Sequence, residues 1–177
     1  MADVMTERPY TRYASLAGRL VFVSGGSSGI GAELVRAFAG QGARVAFCGT
    51  REGGGQALID EMLAAGHSAP WYAACDVRDI PAYQALLARL IGDQGPVQVS
   101  INNAGRDDRH RMEDVTPEFW DDRLALNLKH YFLRSRRWRP AWPRLAAARS
   151  STWARSAGCA DGPTWWATPP PRPASWA

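Results

Sequence analysis

Residues 24–31 read Ser24-Gly25-Gly26-Ser27-Ser28-Gly29-Ile30-Gly31. Just before them, Arg19–Ser24 (RLVFVS) is a short apolar, β-branched run ended by glycine, the pattern of a buried strand. Just after them, Ile30, Leu34, Val35 and Phe38 recur at helical spacing, and Gly42 stops the run at Gln41. The stretch is therefore a strand–turn–helix junction with glycines spaced GxxxGxG. That is not the GxGxxG spacing, but the physical job is similar. Gly25 allows a tight turn after the strand, Gly29 lets backbone approach a pyrophosphate, and Gly31 permits close helix–strand packing. Ser27, Ser28 and Ile30 complete a turn whose helix offers free N–H groups and a partial positive charge to phosphate.

The same alternation continues along the chain. Arg44–Cys48 (RVAFC) predicts a second strand, and Gln56–Ala65 a helix with Leu58, Ile59, Met62 and Leu63 on one face. Trp71–Cys75 is a weaker third strand. Asp79 is placed to cap a helix with Pro81 in its first turn, running through Leu86, Leu87, Leu90 and Ile91. Val97–Ile101 is a fourth strand. Thr116 and Pro117 open another helix, with Trp120, Leu124 and Leu128 four residues apart. Strands alternating with helices imply right-handed crossovers and an α/β fold, a doubly wound parallel sheet covered on both faces.

Composition changes near Phe132. Residues 132–177 hold eight of the 21 basic residues, all Arg, against one acid, Asp161, a balance of 8 − 1 = +7. The preceding part is (21 − 8) − (17 − 1) = −3, so the formal +4 sums two unlike pieces and argues for no nucleic-acid partner. The tail also holds six of the eight Trp and seven of the 12 Pro, with no sustained apolar period. The expected organisation is a nucleotide-binding part over 1–131 and a disordered tail over 132–177.

Met1–Tyr10 carries Asp3, Glu7 and Arg8 with no apolar core, which argues against a secretory signal. No apolar run approaches the ~20 residues that span a bilayer, so no membrane partner is expected. Cys48, Cys75 and Cys159 lack metal or disulfide spacing, and His67, His110 and His130 form no ligand cluster. A cytoplasmic setting and no metal are expected.

Further residues carry a family resemblance. The turn resembles the TGxxxGIG of short-chain dehydrogenases/reductases, with Ser24 where that pattern has Thr. Cys75-Asp76-Val77 resembles the strand end whose acid holds the adenine ring. Asn102-Asn103-Ala104-Gly105 matches the family NNAG after the fourth strand. Leu126-Asn127 resembles the position of the active-site Asn. These motifs occur in family order between about Leu16 and Phe132. The resemblance implies a Rossmann-like sheet, here with about four of seven strands. It also implies a nicotinamide cofactor, a small-molecule substrate, and homo-oligomers among full-length relatives. Gly25, Ser27, Ser28, Gly29, Ile30, Gly31, Asp76, Val77, Asn103, Ala104 and Gly105 become the expected cofactor contacts.

An acid at the end of the second strand selects NAD by bonding the adenosine ribose. This chain has Cys48-Gly49-Thr50-Arg51 there. The guanidinium fork of Arg51 suits a 2′-phosphate, so NADP is expected over NAD.

The family also implies a Tyr acid/base, a Lys that lowers its pKa, and a Ser that orients the substrate, as YxxxK with the Ser about a dozen residues earlier. A Tyr of pKa ~10 needs such help to act near neutral pH. Here Lys129 is the last lysine and Tyr131 the last tyrosine, beside Asn127 on one helix, so neither completes the dyad. Of the four catalytic residues only Asn127 remains.

The genetic code suggests why. Each new codon is taken as the last base of one codon plus the first two of the next. Trp165-Trp166-Ala167 then must give Val-Gly, and Trp176-Ala177 must give Gly. With permitted choices elsewhere, residues 167–177 read Gly-Tyr-Thr-Thr-Ser-Lys-Ala-Gly-Ile-Met-Gly, which contains YxxxK. Residues 150–159 read Val-Asn-Leu-Gly-Ser-Ile-Ser-Trp-Met-Arg, a strand followed by the Ser. One lost base, or two gained, near Phe132 accounts for both. The competing reading is a genuine tail in which Pro169–Pro173 forms polyproline II or the Arg/Trp mixture binds single strands. High-GC coding read out of frame yields the same composition.

The segment after NNAG, Arg106-Asp107-Asp108-Arg109-His110-Arg111, falls at the carboxyl ends of the strands, where ligands bind in such sheets. With Asp114-Val115-Thr116-Pro117 and the reframed Ser-Ile-Ser-Trp it resembles aldose dehydrogenases of the family, which oxidise C1 of a sugar. Reduction of a 3-oxoacyl thioester or another ketone is the alternative, and a non-catalytic nucleotide-binding remnant is the other function class. With only four strands, the fourth would leave an open apolar edge, and a poorly soluble chain without turnover is expected.

Overall fold

The computed structural model describes residues 11–138 and 149–152. The elements are β1 Leu20–Ser24, α1 Gly29–Gly40, β2 Arg44–Gly49, α2 Glu52–Ala64, β3 Trp71–Ala74, α3 Ile80–Gln94, β4 Val99–Asn102, α4 Pro117–Leu124, α5 His130–Trp138 and β5 Arg149–Thr152. The sheet order is β3-β2-β1-β4-β5, and every pairing is parallel. The order reverses between β1 and β4, which opens a crevice at their carboxyl ends.

Alternate residues of β1, β2 and β3 feed two cores, and Ile101 of β4 joins one of them. Leu20 and Phe22 of β1, Ala46 and Cys48 of β2 and Ala73 of β3 face one side, where Tyr83, Leu86, Leu87 and Leu90 of α3 cover them. Val21, Val23, Val45, Phe47 and Ile101 face the other, under Ala32, Val35 and Ala39 of α1 and Leu58 and Met62 of α2. A strand buried on both faces must be apolar throughout, which is why RLVFVS and RVAFC read as continuous runs.

The expected caps hold. The Asp79 carboxylate accepts the N–H of Ala82 at 3.0 Å, and the Thr116 hydroxyl accepts that of Phe119 at 3.2 Å. One expectation, an open β4 edge, is corrected. The incomplete parallel sheet is as expected, and it carries one further strand, Arg149–Thr152, which pairs with β4 in register from Val99 to Asn102. That pairing covers the β4 edge expected to lie open. The apolar stripe that runs from α4 into the turn Ala125–Lys129 faces outward, with Trp120 58%, Leu124 41% and Leu128 57% exposed, joined by Phe132 at 57%. Ile30 is likewise exposed, because α1 packs through its small residues Gly31, Ala32 and Ala39 together with Val35.

Of the segment 132–177, expected to be a disordered tail, residues 132–138 continue α5 and 149–152 form β5. Residues 139–148 and 153–177 lie outside the described residues, and with them the reframed Tyr–Lys stretch and all of the reframed Ser stretch but its first three residues. Among the described residues, no helix is long and apolar enough to cross a membrane.

Candidate active site

The phosphate-type turn closes β1 onto α1. Gly25 has φ +69°, a left-handed conformation that disfavours any side chain, and a Cβ there would sit 2.8 Å from the Ala104 Cα. A Cβ on Gly31 would collide with the Gly25 carbonyl oxygen and sit 2.6 Å from Asn103 Nδ2. Both expected roles, tight turn and close helix packing, are therefore visible. Ser28 occupies the N-cap of α1 in extended backbone without a side-chain capping bond, and Ser28, Gly29, Ile30 and Gly31 line the crevice, so the start of the helix, where N–H groups lack intrahelical partners, borders it.

Ser24 does more than stand in for Thr. Its hydroxyl oxygen accepts the N–H groups of Asn103 and Ala104, both at 3.2 Å, and lies 3.4 Å from the Ile101 carbonyl. The Asn103 side chain donates to the Gly25 carbonyl at 3.0 Å. The glycine turn and NNAG are thus one hydrogen-bonded unit at the switch point. Of the expected cofactor contacts, all but Arg51 line one cleft of about 300 Å³. Gly49, Thr50, Cys75 and Leu126 line it too. Their positions at a strand end or beside a motif residue were the available signal.

Asn127 sits in a π-helical turn, Ala125–Lys129, between α4 and α5. Its Oδ1 accepts the N–H of Arg106 at 2.8 Å, and its Nδ2 donates to the Arg106 carbonyl at 3.1 Å. Such widened turns occur at functional positions of helices. The Tyr131 hydroxyl donates to the Ala104 carbonyl at 2.6 Å, so this Tyr braces NNAG.

Asp76 is not a bare carboxylate. The Arg78 guanidinium holds it through Nη2 at 2.6 Å and also reaches Asp122 on α4 at 2.9 Å. That bonding holds the Asp76 carboxyl below its usual pKa, so it stays an anion and an acceptor. Arg51 lies at the rim, exposed, at the N-cap of α2. The 106–111 loop folds onto α4, with Asp108 bonded to Arg106 Nε at 2.8 Å and to Arg123. The His110 ring packs 4.7 Å from that of Phe119. Asp107 and Arg109 remain exposed.

Two other ionisable groups are inert. Burial pushes the Cys48 thiol up to about 12, and burial with nearby Asp79 and Asp76 pushes Cys75 up to about 11, so neither is a thiolate near neutral pH. No group of three or more His, Cys, Asp or Glu converges among the described residues.

A parallel sheet whose strand order reverses beside a glycine-rich turn, with an Asn-containing loop across the crevice, defines a nucleotide-binding α/β protein of the doubly wound class. The family model for short chain dehydrogenases matches residues 19–149, and the chain belongs to that family. It is 44% identical over 124 residues to the "Probable galactose dehydrogenase GalD" of Rhizobium meliloti, covering 70% of this chain and 48% of that one. It is also 44% identical over 118 residues to the D-xylose 1-dehydrogenase of Caulobacter vibrioides, covering 67% and 46%. Among solved structures, a metagenomic short-chain oxidoreductase in complex with NADP superposes with a TM-score of 0.72 at 30% identity, covering 78% of this chain and 62% of that one. The chain thus spans about half the length of the curated relatives it matches.

Proposed function

We propose that this chain is the cofactor-holding part of an NADP-dependent oxidoreductase that acts on a hydroxyl or carbonyl carbon, with a sugar oxidised at C1 as the substrate class. One observation carries the reading: the glycine turn, Asp76, NNAG and the Asn127 turn converge on a single cleft. The donor set fits a dinucleotide. The open N-terminus of α1 suits the pyrophosphate, and the anionic Asp76 with Val77 suits the adenine edge. Arg51 suits a 2′-phosphate, so NADP is favoured and NAD is the weaker ligand.

The nicotinamide, when bound, exchanges a hydride with the substrate carbon. The protein's part is to hold that ring beside NNAG, and to keep Arg106 and its loop in place through Asn127. Sugar specificity is supported by the polar 106–111 loop, which follows the cleft-lining Gly105, and by two relatives named as sugar dehydrogenases.

Residues 132–177 hold no Tyr and no Lys, so this stretch as it stands does not supply the acid/base pair that proton transfer needs. The reading of residues 132–177 as a shifted frame rests on that loss together with the ordered return of Ser and YxxxK in one alternative frame. The chain as given is therefore expected to bind NADPH without turnover. The test compares two proteins, this chain and one with the frame restored, for NADPH binding by fluorescence and for NADP reduction with D-xylose and D-galactose. Binding by both and turnover only by the second is expected. Turnover by the first, or no sugar oxidation by the second, contradicts the reading.

A further inference from the structure

Tyr72 lies on β3 directly opposite Phe47 of β2, with ring centroids 4.9 Å apart. Its ring extends beyond the sheet to the first turn of α2. The Tyr72 hydroxyl donates to the Arg51 carbonyl at 2.7 Å and lies 3.5 Å from that of Gly49. The Arg51 carbonyl also accepts the Gly55 N–H, at 3.2 Å, in the opening turn of α2. Gly55 is buried, and a Cβ there would fall within the Tyr72 ring. The ring can reach Arg51 only because position 55 carries no side chain.

The loop between β2 and α2 is thus held at both ends. Gly49 accepts the Cys75 N–H at 2.9 Å, and the Tyr72 hydroxyl fixes Arg51. The same geometry keeps Arg51 beside the phosphate-type turn. A Cβ on Gly54 would sit 3.3 Å from the Ser27 carbonyl and 3.6 Å from the Arg51 Cβ, so both flank one point. Arg51 has extended backbone and no capping bond of its own, so its direction depends on what its carbonyl is tied to.

We propose that Tyr72 is a positioning residue for cofactor choice: its hydroxyl anchors the Arg51 backbone so that the guanidinium meets the 2′-phosphate of an adenosine ribose. This rests on the reading that Arg51 recognises that phosphate. Tyr72 is not among the residues that line the cleft, and its effect runs through Arg51. Pre-placing a long cation lowers the ordering cost of the ion pair, which appears as selectivity rather than as affinity for the shared part of both dinucleotides.

The experiment titrates NADPH and NADH separately, by fluorescence, into the whole chain and its Tyr72→Phe, Arg51→Ala and double variants. Tyr72→Phe keeps the ring and removes one hydrogen bond, for which about a fivefold weakening of NADPH is expected while NADH stays within about twofold. Arg51→Ala should bring the two dinucleotides to near parity, and adding Tyr72→Phe should change that ratio no further. Gly55→Ala, which displaces the ring, should follow Tyr72→Phe in direction. If Arg51→Ala lowers the NADPH preference and Tyr72→Phe does not, the positioning role is overturned and the Arg51 reading survives. If Tyr72→Phe weakens both dinucleotides equally, Tyr72 is only structural and the proposal is overturned. If Arg51→Ala leaves the ratio unchanged, or the whole chain binds neither dinucleotide, the reading beneath it fails too.

Discussion

The side-chain amide of Asn127 pairs with both backbone groups of Arg106, accepting its N–H at 2.8 Å and donating to its carbonyl at 3.1 Å. A helix residue thereby mimics a strand partner and holds the start of the 106–111 loop against the π-helical turn. The loop begins where NNAG ends, so its position is set by the same helix that borders the crevice.

Asn127→Ala removes both bonds, and Asn127→Asp keeps only the acceptor. The site is partly exposed, so each lost bond is expected to cost about 1 kcal/mol. Urea midpoints should therefore fall in the order wild type, Asp, Ala. NADPH affinity should change less than about threefold, because Asn127 lies outside the glycine turn proposed to hold the phosphates. A wild-type midpoint in Asn127→Ala would show that the pairing is not stabilising.

Gly31→Val places a branched Cβ against the Gly25 carbonyl and the Asn103 amide, where there is no room even for a Cβ. The α1 N-terminus must then retreat from the turn, and dinucleotide affinity should fall by more than about tenfold. Fluorescence titration of NADPH checks this, with far-UV dichroism to confirm that the fold persists. Gly53→Ala is the control, since a Cβ there meets open space and should leave binding unchanged.

His130 predicts an acid-labile fold. It is buried on α5, its ring 5.8 Å from Tyr83 and 4.1 Å from Tyr131. Burial, and then the charge of Arg134, pushes its pKa down to about 4. In the unfolded chain a histidine titrates near ~6.5. Between those values the unfolded chain binds a proton that the native chain does not, so stability is lost as pH falls through that window. The folding constant should drop by up to about tenfold per pH unit there. His130→Phe should flatten that slope in urea melts. Asp76 and Asp122, held down by Arg78, add a loss below about pH 4 that the variant keeps. An unchanged slope in His130→Phe would rule the residue out.

The outward stripe of Trp120, Leu124, Leu128 and Phe132 gathers large apolar side chains on one surface. Exposed apolar patches promote association. Leu128→Glu with Phe132→Glu should lower the light-scattering mass of concentrated samples while leaving the melting midpoint within about 2 °C, since neither side chain packs in the core. A large fall in midpoint would place these residues in the folding core instead.

Much of the fold could be read from the order of patterns. Continuous apolar runs in β1 and β2 marked strands buried on both faces, and the glycine turn marked the crevice. Other features needed tertiary context. Three consecutive glycines, Gly53 to Gly55, argue against a helix, so the expected start of α2 was Gln56, yet the helix begins at Glu52. Contact of the Tyr72 ring with Gly55 is only visible in three dimensions. Period alone could not tell that the α4 stripe faces outward, because an amphipathic pattern states that one face is apolar and not what covers it. Arg149–Thr152 has little strand pattern, and the edge of β4 determines its conformation. At the site, the motif residues were legible because glycine, Asn and Asp have few substitutes for those geometries. Ser24 and Tyr72 were not, because their roles are hydrogen bonds to backbone that any segment carries.

The central claim is that the cofactor-holding part is intact and the acid/base part has been lost to a shifted reading frame. Sequencing the coding DNA across codons 125–177 tests it most directly. The account predicts one base to be restored, or two removed, near codon 132, returning the Ser and YxxxK in frame. An unchanged reading, with Pro169 to Pro173 encoded as they stand, would contradict it, and the family membership would then describe ancestry rather than catalysis.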